Sequence, residues 1–419
     1  MRRTAISLQL ALLGCFVQTT AHAQSTPPPS SQKRVFGVVF NASEHDPSVK
    51  RALDSYLALV KSTYNWDSVY IQAGSRTSPA TLRSQIKKAW VEDKIDGVFL
   101  VGRQPMIKIS VARGLDTTLC PEYYTDLDAR FEDQNQDGIL DRYYPWENGD
   151  TKVHEVWLAR LMPDGVTRDG LSPDGQLTSY FAKLSNFIRS GTSRSGRTVI
   201  TSSRDWQNRS GVASELQKTF GKVPEAIAAR ISTTPPATSE PKIESTPGTF
   251  WKTLAIPSDF TYLSVHGEAH AWHCDEPLNG GNVVGTSFGR AFHNVDQFRI
   301  NATVLVSMSC HYLGIDGRRD FIAASALLHP ANRCFLTIGS ARSIGMDNEP
   351  LMVRELRTGQ PVDAWLRYYN EVSSESYMKR WLGSRNVWEQ EKDAFVWAYY
   401  WYGAPFGPFE VGLGKGGSR

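Results

Sequence analysis

His266 and Cys310 each stand at the end of a short apolar run. The passages read Thr-Tyr-Leu-Ser-Val-His-Gly over 261–267 and Thr-Val-Leu-Val-Ser-Met-Ser-Cys over 303–310. If both runs are strands of one parallel sheet, their carboxyl ends share an edge, and that edge is where α/β sheets bind ligands. A cysteine and a histidine delivered there suit acyl transfer. The thiolate attacks a peptide carbonyl and the imidazole protonates the leaving amine. Gly267 contributes a backbone N–H that no side chain shields, and together with the N–H of Cys310 it can hold the oxyanion. Taken singly, Cys310 reads better as a small buried residue and His266 as a loop residue. The matched lead-ins and the following glycine favour the chemical reading.

A second constellation is rich in oxygen ligands. Asp133, Asn135, Asp137, Ile139 and Asp141 fall at alternate positions of a calcium loop, Ile139 through its carbonyl, with Gly138 at the sharp turn. Tyr144 stands where the closing bidentate Glu is usual, so the expected loop is a shortened one, with Asp126 or Asp128 as candidates to complete it. The competing reading is a solvated acidic loop. A third group is His266, His270, His273 and Cys274. On a helix, His266 and His270 would share a face and could bind zinc. Gly267, the strand before His266 and the lack of a His-Glu-x-x-His pattern weigh against a zinc hydrolase.

The elements that must position these residues alternate in type. Strands are expected over 35–40, 69–72 and 96–102, with helices over 47–61 and from 77 to 90 between them. After a polar insertion the rhythm resumes with a strand over 156–161, an amphipathic helix over 177–188 and a strand over 198–201. A Pro/Ser/Thr-rich passage over 232–249 reads as a surface loop, followed by strands over 261–265, 304–307 and 335–338. From 361 onward the chain is rich in Trp and Tyr and is expected to be helical. This alternation predicts an α/β fold with a mostly parallel sheet covered by helices.

The pairing of "apolar strand, His-Gly" with "apolar strand, Cys" resembles the peptidase clan of caspases, legumains and gingipains, and further stretches are similar to the gingipain branch. These are residues 77–90 before Asp-Gly-Val-Phe-Leu-Val-Gly, Glu122-Tyr-Tyr-Thr-Asp-Leu-Asp128, Val156-Trp-Leu-Ala-Arg-Leu161, His266-Gly-Glu-Ala-His-Ala-Trp272 and Ile338-Gly-Ser340. The likeness spans about 35–345. It implies a caspase-like sheet in two α/β subdomains, 34–161 with the acidic loop and 162–360 with the catalytic pair, before a helical segment over 361–419. It also implies that Asp205, beyond the strand over 198–201, orients His266; an ordinary loop aspartate capping a turn is the equal competing reading, and Glu268 is the substitute. His311 directly after Cys310, and Tyr402-Gly403-Ala404-Pro405 where many members have Gly-Asp-Pro, depart from the pattern, and the first of these leaves a catalytically impaired homologue that only binds peptides as an alternative. Implied substrates are proteins or peptides, calcium is the one expected cofactor, and neither a catalytic metal nor an organic cofactor is needed.

Composition sets the bounds. The chain has 419 residues, a net charge of +3 and 41% hydrophobic residues, which is globular and only slightly basic. With no basic stripe, nucleic acid is not an expected partner. Arg2 and Arg3, an apolar stretch over 5–17 and Ala21-His-Ala23 read as an export signal over 1–23, followed by a Pro-containing lead-in over 24–33. No stretch is long and apolar enough for a transmembrane helix. Leu12-Leu-Gly-Cys15 is a weaker lipoprotein alternative. The protein is therefore expected to be exported, periplasmic or extracellular. With Cys310 free, at most one disulfide can form among Cys120, Cys274 and Cys334.

Overall fold

The computed structural model describes residues 34–111, 116–145, 153–163, 165–190, 197–202, 225–230, 243–244, 254–264, 266–268, 271–277, 283–287, 299–307, 309, 322–341, 355, 361–376, 379 and 399–405. It opens with β1 (Arg34–Val39), α1 (Pro47–Tyr64), β2 (Trp66–Ile71), α2 (Pro79–Glu92) and β3 (Gly97–Val101). Local chemistry sets these boundaries. The Asp46 carboxylate accepts the Ser48 N–H with Pro47 at the first position of α1, and Asn65 ends the helix in the left-handed region at φ 59°. Ser78 caps α2 by accepting the Thr81 N–H. β2 starts at Trp66, ahead of the expected 69, because the buried Trp66 indole packs edge-on against Phe36 and Trp157.

The polar insertion folds as small ladders: β4 (Lys108–Val111), β5 (Asp116–Leu119), α3 (Glu122–Thr125), β6 (Arg130–Glu132), β7 (Ile139–Leu140) and β8 (Arg142–Tyr144). The chain then returns to the main sheet through β9 (Trp157–Leu161), followed by α4 (Pro173–Ser190), β10 (Arg197–Ser202), β11 (Glu225–Arg230), β12 (Ile243–Glu244) and β13 (Ser258–Ser264). Next come β14 (His266–Glu268), β15 (Ala271–Pro277), β16 (Val283–Ser287), β17 (Ala302–Ser307), α5 (Ile322–Leu328), β18 (Leu336–Ser340), α6 (Pro361–Val372) and β19 (Tyr399–Gly403).

Eleven strands form the main sheet in the order β12-β11-β10-β13-β17-β18-β19-β9-β3-β1-β2. Every neighbouring pair is parallel except β18 and β19. The sheet is thus two parallel blocks of opposite direction, and their carboxyl ends emerge on opposite edges. Strand β2 lies on one side of β1 and β3 on the other, so right-handed crossovers place α1 and α2 on opposite faces. On one face α1 packs against α4 and α4 against α5. With helices on both faces, every residue of β3 and β9 is buried. At Gly97 a Cβ would lie 1.9 Å from the Trp157 indole, so only glycine fits there. The fold is α/β with parallel strands flanked by helices, compatible with a caspase-like arrangement.

Two expectations need correction. The segment over 361–419 is not wholly helical: Tyr399–Gly403 is a strand in the middle of the main sheet. Its Tyr-Tyr-Trp-Tyr run has strong strand preference, and it closes onto β18, where a Cβ at Gly403 would lie 2.3 Å from the Phe335 carbonyl oxygen. Within the passage over 232–249, Ile243–Glu244 is a sheet strand paired with β11. No described helix is long and apolar enough to cross a membrane.

Candidate active site

β10, β13 and β17 are consecutive parallel neighbours, so their carboxyl ends share one edge of the sheet. The pairing fixes the register. Leu263 lies beside Ser307 and Ser264 beside Ser202. His266 and Cys310 therefore follow paired positions by the same three residues, and Asp205 follows Thr201, the β10 partner of Leu263, by four. Cys310, Asp205, His270 and His311 themselves lie outside the described residues.

His266 and Gly267 begin β14, which turns back as an antiparallel hairpin with β15. His266 pairs with His273, Gly267 with Trp272 and Glu268 with Ala271. A helical His266–His270 face is thereby excluded, and the cross-strand neighbour of His266 is His273. Trp272 is 1% exposed, and its indole Nε1 donates to Ser307 Oγ at 3.1 Å. Ser307 Oγ lies 2.9 Å from Ser309 Oγ, and both serines are buried. This hydrogen-bond chain ties the histidine hairpin to the chain immediately before Cys310. Sequence reasoning noted Trp272 as part of a motif but gave it no partner, because a contact between residues 35 apart has no local signature.

The helix beyond this strand end, α5, is held from beneath. Lys183 on α4 donates to the carbonyl oxygens of Leu327 (2.6 Å), His329 (3.0 Å) and Asn332 (3.0 Å). Burial pulls its ammonium down to about 7. Arg168, also buried, donates to Ser325 Oγ at 3.1 Å and to Gln176 Oε1 at 3.0 Å. Tyr180 Oη accepts the Ala404 N–H at 2.8 Å and donates to the Phe335 carbonyl, joining α4 to both sides of the β18–β19 seam.

The acidic loop has the tight turns its spacing predicts, with Gln136 at φ 60° and Gly138 at φ 84°. Asp133 accepts the N–H groups of Asp137 and Gly138, Asn135 accepts Asp137 N–H, Asp137 accepts Ile139 N–H, and Asp141 accepts Gln134 N–H. The side chains of Asp133, Asn135, Asp137 and Asp141 thus bond the loop's own backbone, and Asp133, Asp137 and Asp141 do not converge as a carboxylate group in this structure. Asp126 and Asp128 instead group with Glu155, the three offering carboxylate oxygens within 4.8 Å of one another. Burial, opposed by the Tyr143 hydroxyl and reinforced by Glu155 and Asp128, raises Asp126 to about 9. Glu155 carried no signal in the sequence beyond its position just before β9.

Cys120 and Cys334 are buried free thiols, which leaves none of the possible disulfides among Cys120, Cys274 and Cys334. Burial pushes the Cys334 thiol up to about 12 and Cys120 well above its ordinary value, so neither is a ready nucleophile.

No protein-family model matches the sequence, and no curated protein matches it. Among solved structures, one described as "Structure of Protease" is similar at 13% identity with a TM-score of 0.53, over 90% of this chain and 78% of that one. At that identity the likeness shows a shared fold. A ligand-free, open substrate-binding protein with adhesive properties from Clostridium difficile matches at 9% identity over 55% of this chain and 65% of that one, with a TM-score of 0.16.

Proposed function

We propose that this chain is an exported, gingipain-type cysteine endopeptidase acting on proteins or peptides. The observation that carries the reading is the shared carboxyl edge of β10, β13 and β17, from which His266 and Cys310 follow paired positions by the same three residues and Asp205 follows one residue further on. In the proposed reaction the Cys310 thiolate attacks the scissile carbonyl and the N–H groups of Gly267 and Cys310 hold the oxyanion. The His266 imidazolium then gives its proton to the leaving amine, and the C–N bond breaks. Water, deprotonated by His266, hydrolyses the thioester and returns the thiol. Asp205 holds the imidazole and stabilises its cation. The free, buried state of Cys120 and Cys334 supports Cys310 as the reactive thiol. A calcium ion in the loop of Asp133, Asn135, Asp137, Ile139 and Asp141 belongs to the same reading as a structural ligand. The deciding experiment is labelling with peptidyl acyloxymethyl ketones of varied P1 residue. Modification mapped to Cys310 supports the proposal and reports P1 preference; modification elsewhere, with peptidase activity intact, removes it.

A zinc-dependent hydrolase is the second reading, and one observation favours it: His266 and His273 are directly opposed across the hairpin, a separation of about 5 Å between Cβ atoms that suits two ligands of one ion. Loss of activity on zinc chelation, with resistance to iodoacetamide, would select it over the cysteine peptidase.

A further inference from the structure

We infer that Trp272, Ser307 and Ser309 are positioning residues that set the distance between His266 and Cys310. The inference rests on the cysteine-peptidase reading and adds to it the device that aligns the pair. Three facts carry it. Trp272 lies in β15, opposite Gly267 and one pairing step from the His266–His273 pair, so the indole and the histidine share a rigid two-strand unit. The indole N–H can only donate, and it donates to Ser307 Oγ at 3.1 Å, the last residue of the strand that leads to Cys310. Ser307 Oγ is 2.9 Å from Ser309 Oγ, and Ser309 is bonded in the chain to Cys310.

Burial makes this contact consequential. Trp272 is 1%, Ser307 0% and Ser309 2% exposed, so water does not substitute for a missing partner. Losing one member strands a buried donor or acceptor, and the cost is relieved only by moving the hairpin or the turn. Among the described residues, main-chain pairing between β13 and β17 runs as far as Leu263 and Ser307. Beyond that pair, the side-chain chain Trp272–Ser307–Ser309 links the histidine hairpin to the residue bonded to Cys310. A mismatch of about 1 Å between nucleophile and base is enough to cost two orders of magnitude in rate.

The test uses the full-length protein with Trp272→Phe, Ser309→Ala and the double variant, beside Cys310→Ala. Phenylalanine keeps the buried ring and removes the donor. Expected are a fall in kcat of about tenfold or more with KM held within about twofold, and a shift of the Cys310 alkylation profile toward higher pH because the thiolate–imidazolium pair is loosened. The double variant should lose no more than the worse single one, since both break the same chain. Ser309→Thr, which keeps the hydroxyl, should recover most of the activity lost in Ser309→Ala. Wild-type kcat and an unmoved alkylation profile in Trp272→Phe, or losses that simply multiply in the double variant, would overturn the inference. Should Trp272→Phe fail to fold, Ser309→Ala and its threonine rescue decide alone. Full activity in Cys310→Ala would instead remove the cysteine reading, so the two failures are distinguishable.

Discussion

Leu263 and Ser307 lie side by side in parallel strands, and three residues beyond each come His266 and Cys310. Two strands of unequal sequence position thus reach the same edge in step. The expected consequence is that Cys310→Ala abolishes peptide hydrolysis and His266→Ala is nearly as severe, while both variants keep the wild-type melting temperature. His270→Ala should retain substantial activity. Hydrolysis of a fluorogenic peptide, with circular dichroism to verify folding, checks all three.

Asp205 is the proposed orienting acid. Asp205→Asn should lower kcat strongly with little change in KM, and should move the apparent pKa of Cys310 up toward that of a free thiol. Rates of iodoacetamide alkylation against pH read this without a known substrate. An unchanged profile would transfer the role to Glu268, measured next as Glu268→Gln.

Calcium should raise the melting temperature, because a ligand held only by the folded state stabilises it by mass action. Asp137 accepts the Ile139 N–H at 2.8 Å in the middle of the loop, so Asp137→Ala removes both a proposed cation ligand and a turn contact. The calcium-dependent part of the shift should vanish in that variant while thiol reactivity stays. Scanning calorimetry after exhaustive chelation, with and without millimolar calcium, separates the two effects.

His154 is buried between α3 and α6, with Nδ1 2.9 Å from Thr125 Oγ1 and Nε2 3.1 Å from Ser373 Oγ. Burial lowers its pKa to about 3. A histidine in the unfolded chain titrates near 6.5, so below about pH 6.5 the unfolded state takes up a proton that the folded state refuses. The stability His154 contributes is complete above that pH and is lost progressively as pH falls toward 3. Melting temperatures of wild type and His154→Gln should converge as pH drops from 7 to 4; parallel curves would exclude the residue as a source of acid sensitivity.

Lys183→Met should destabilise the protein by roughly 3 kcal/mol, because three carbonyl oxygens around the end of α5 lose their donor. Urea unfolding measures it. A change below about 0.5 kcal/mol would mean that the segment relaxes to other donors.

Much of the fold was legible because it follows local rules. Asp46-Pro47 and Ser78-Pro79 announce helix starts, and uninterrupted apolar runs such as Gly97–Val101 announce strands buried on both faces. The His266 and Cys310 lead-ins were readable for the same reason. β11 went unrecognised because Glu-Ala-Ile-Ala-Ala-Arg is a good helix former, overridden here by the neighbouring strand β10. β19 is easily overlooked although its Tyr-Tyr-Trp-Tyr run favours a strand, because the tail that contains it opens with a helical stretch over Pro361–Val372. The Trp272–Ser307 bond and the grouping of Glu155 with Asp126 and Asp128 depend on which segments meet in space, and no spacing in the chain encodes that.

The seam between β18 and β19 bears on how this molecule is made. β19 comes from 399–403, yet it separates strands that end at residues 161 and 340. During synthesis both blocks can assemble before residue 399 emerges, and until then β18 and β9 each present an unpaired ladder of backbone donors and acceptors. Such open ladders invite pairing with another chain. A nascent or truncated chain lacking 399–403 should therefore self-associate even though both parallel blocks are present, and a protease that removed this stretch would turn a closed sheet into two adhesive ones.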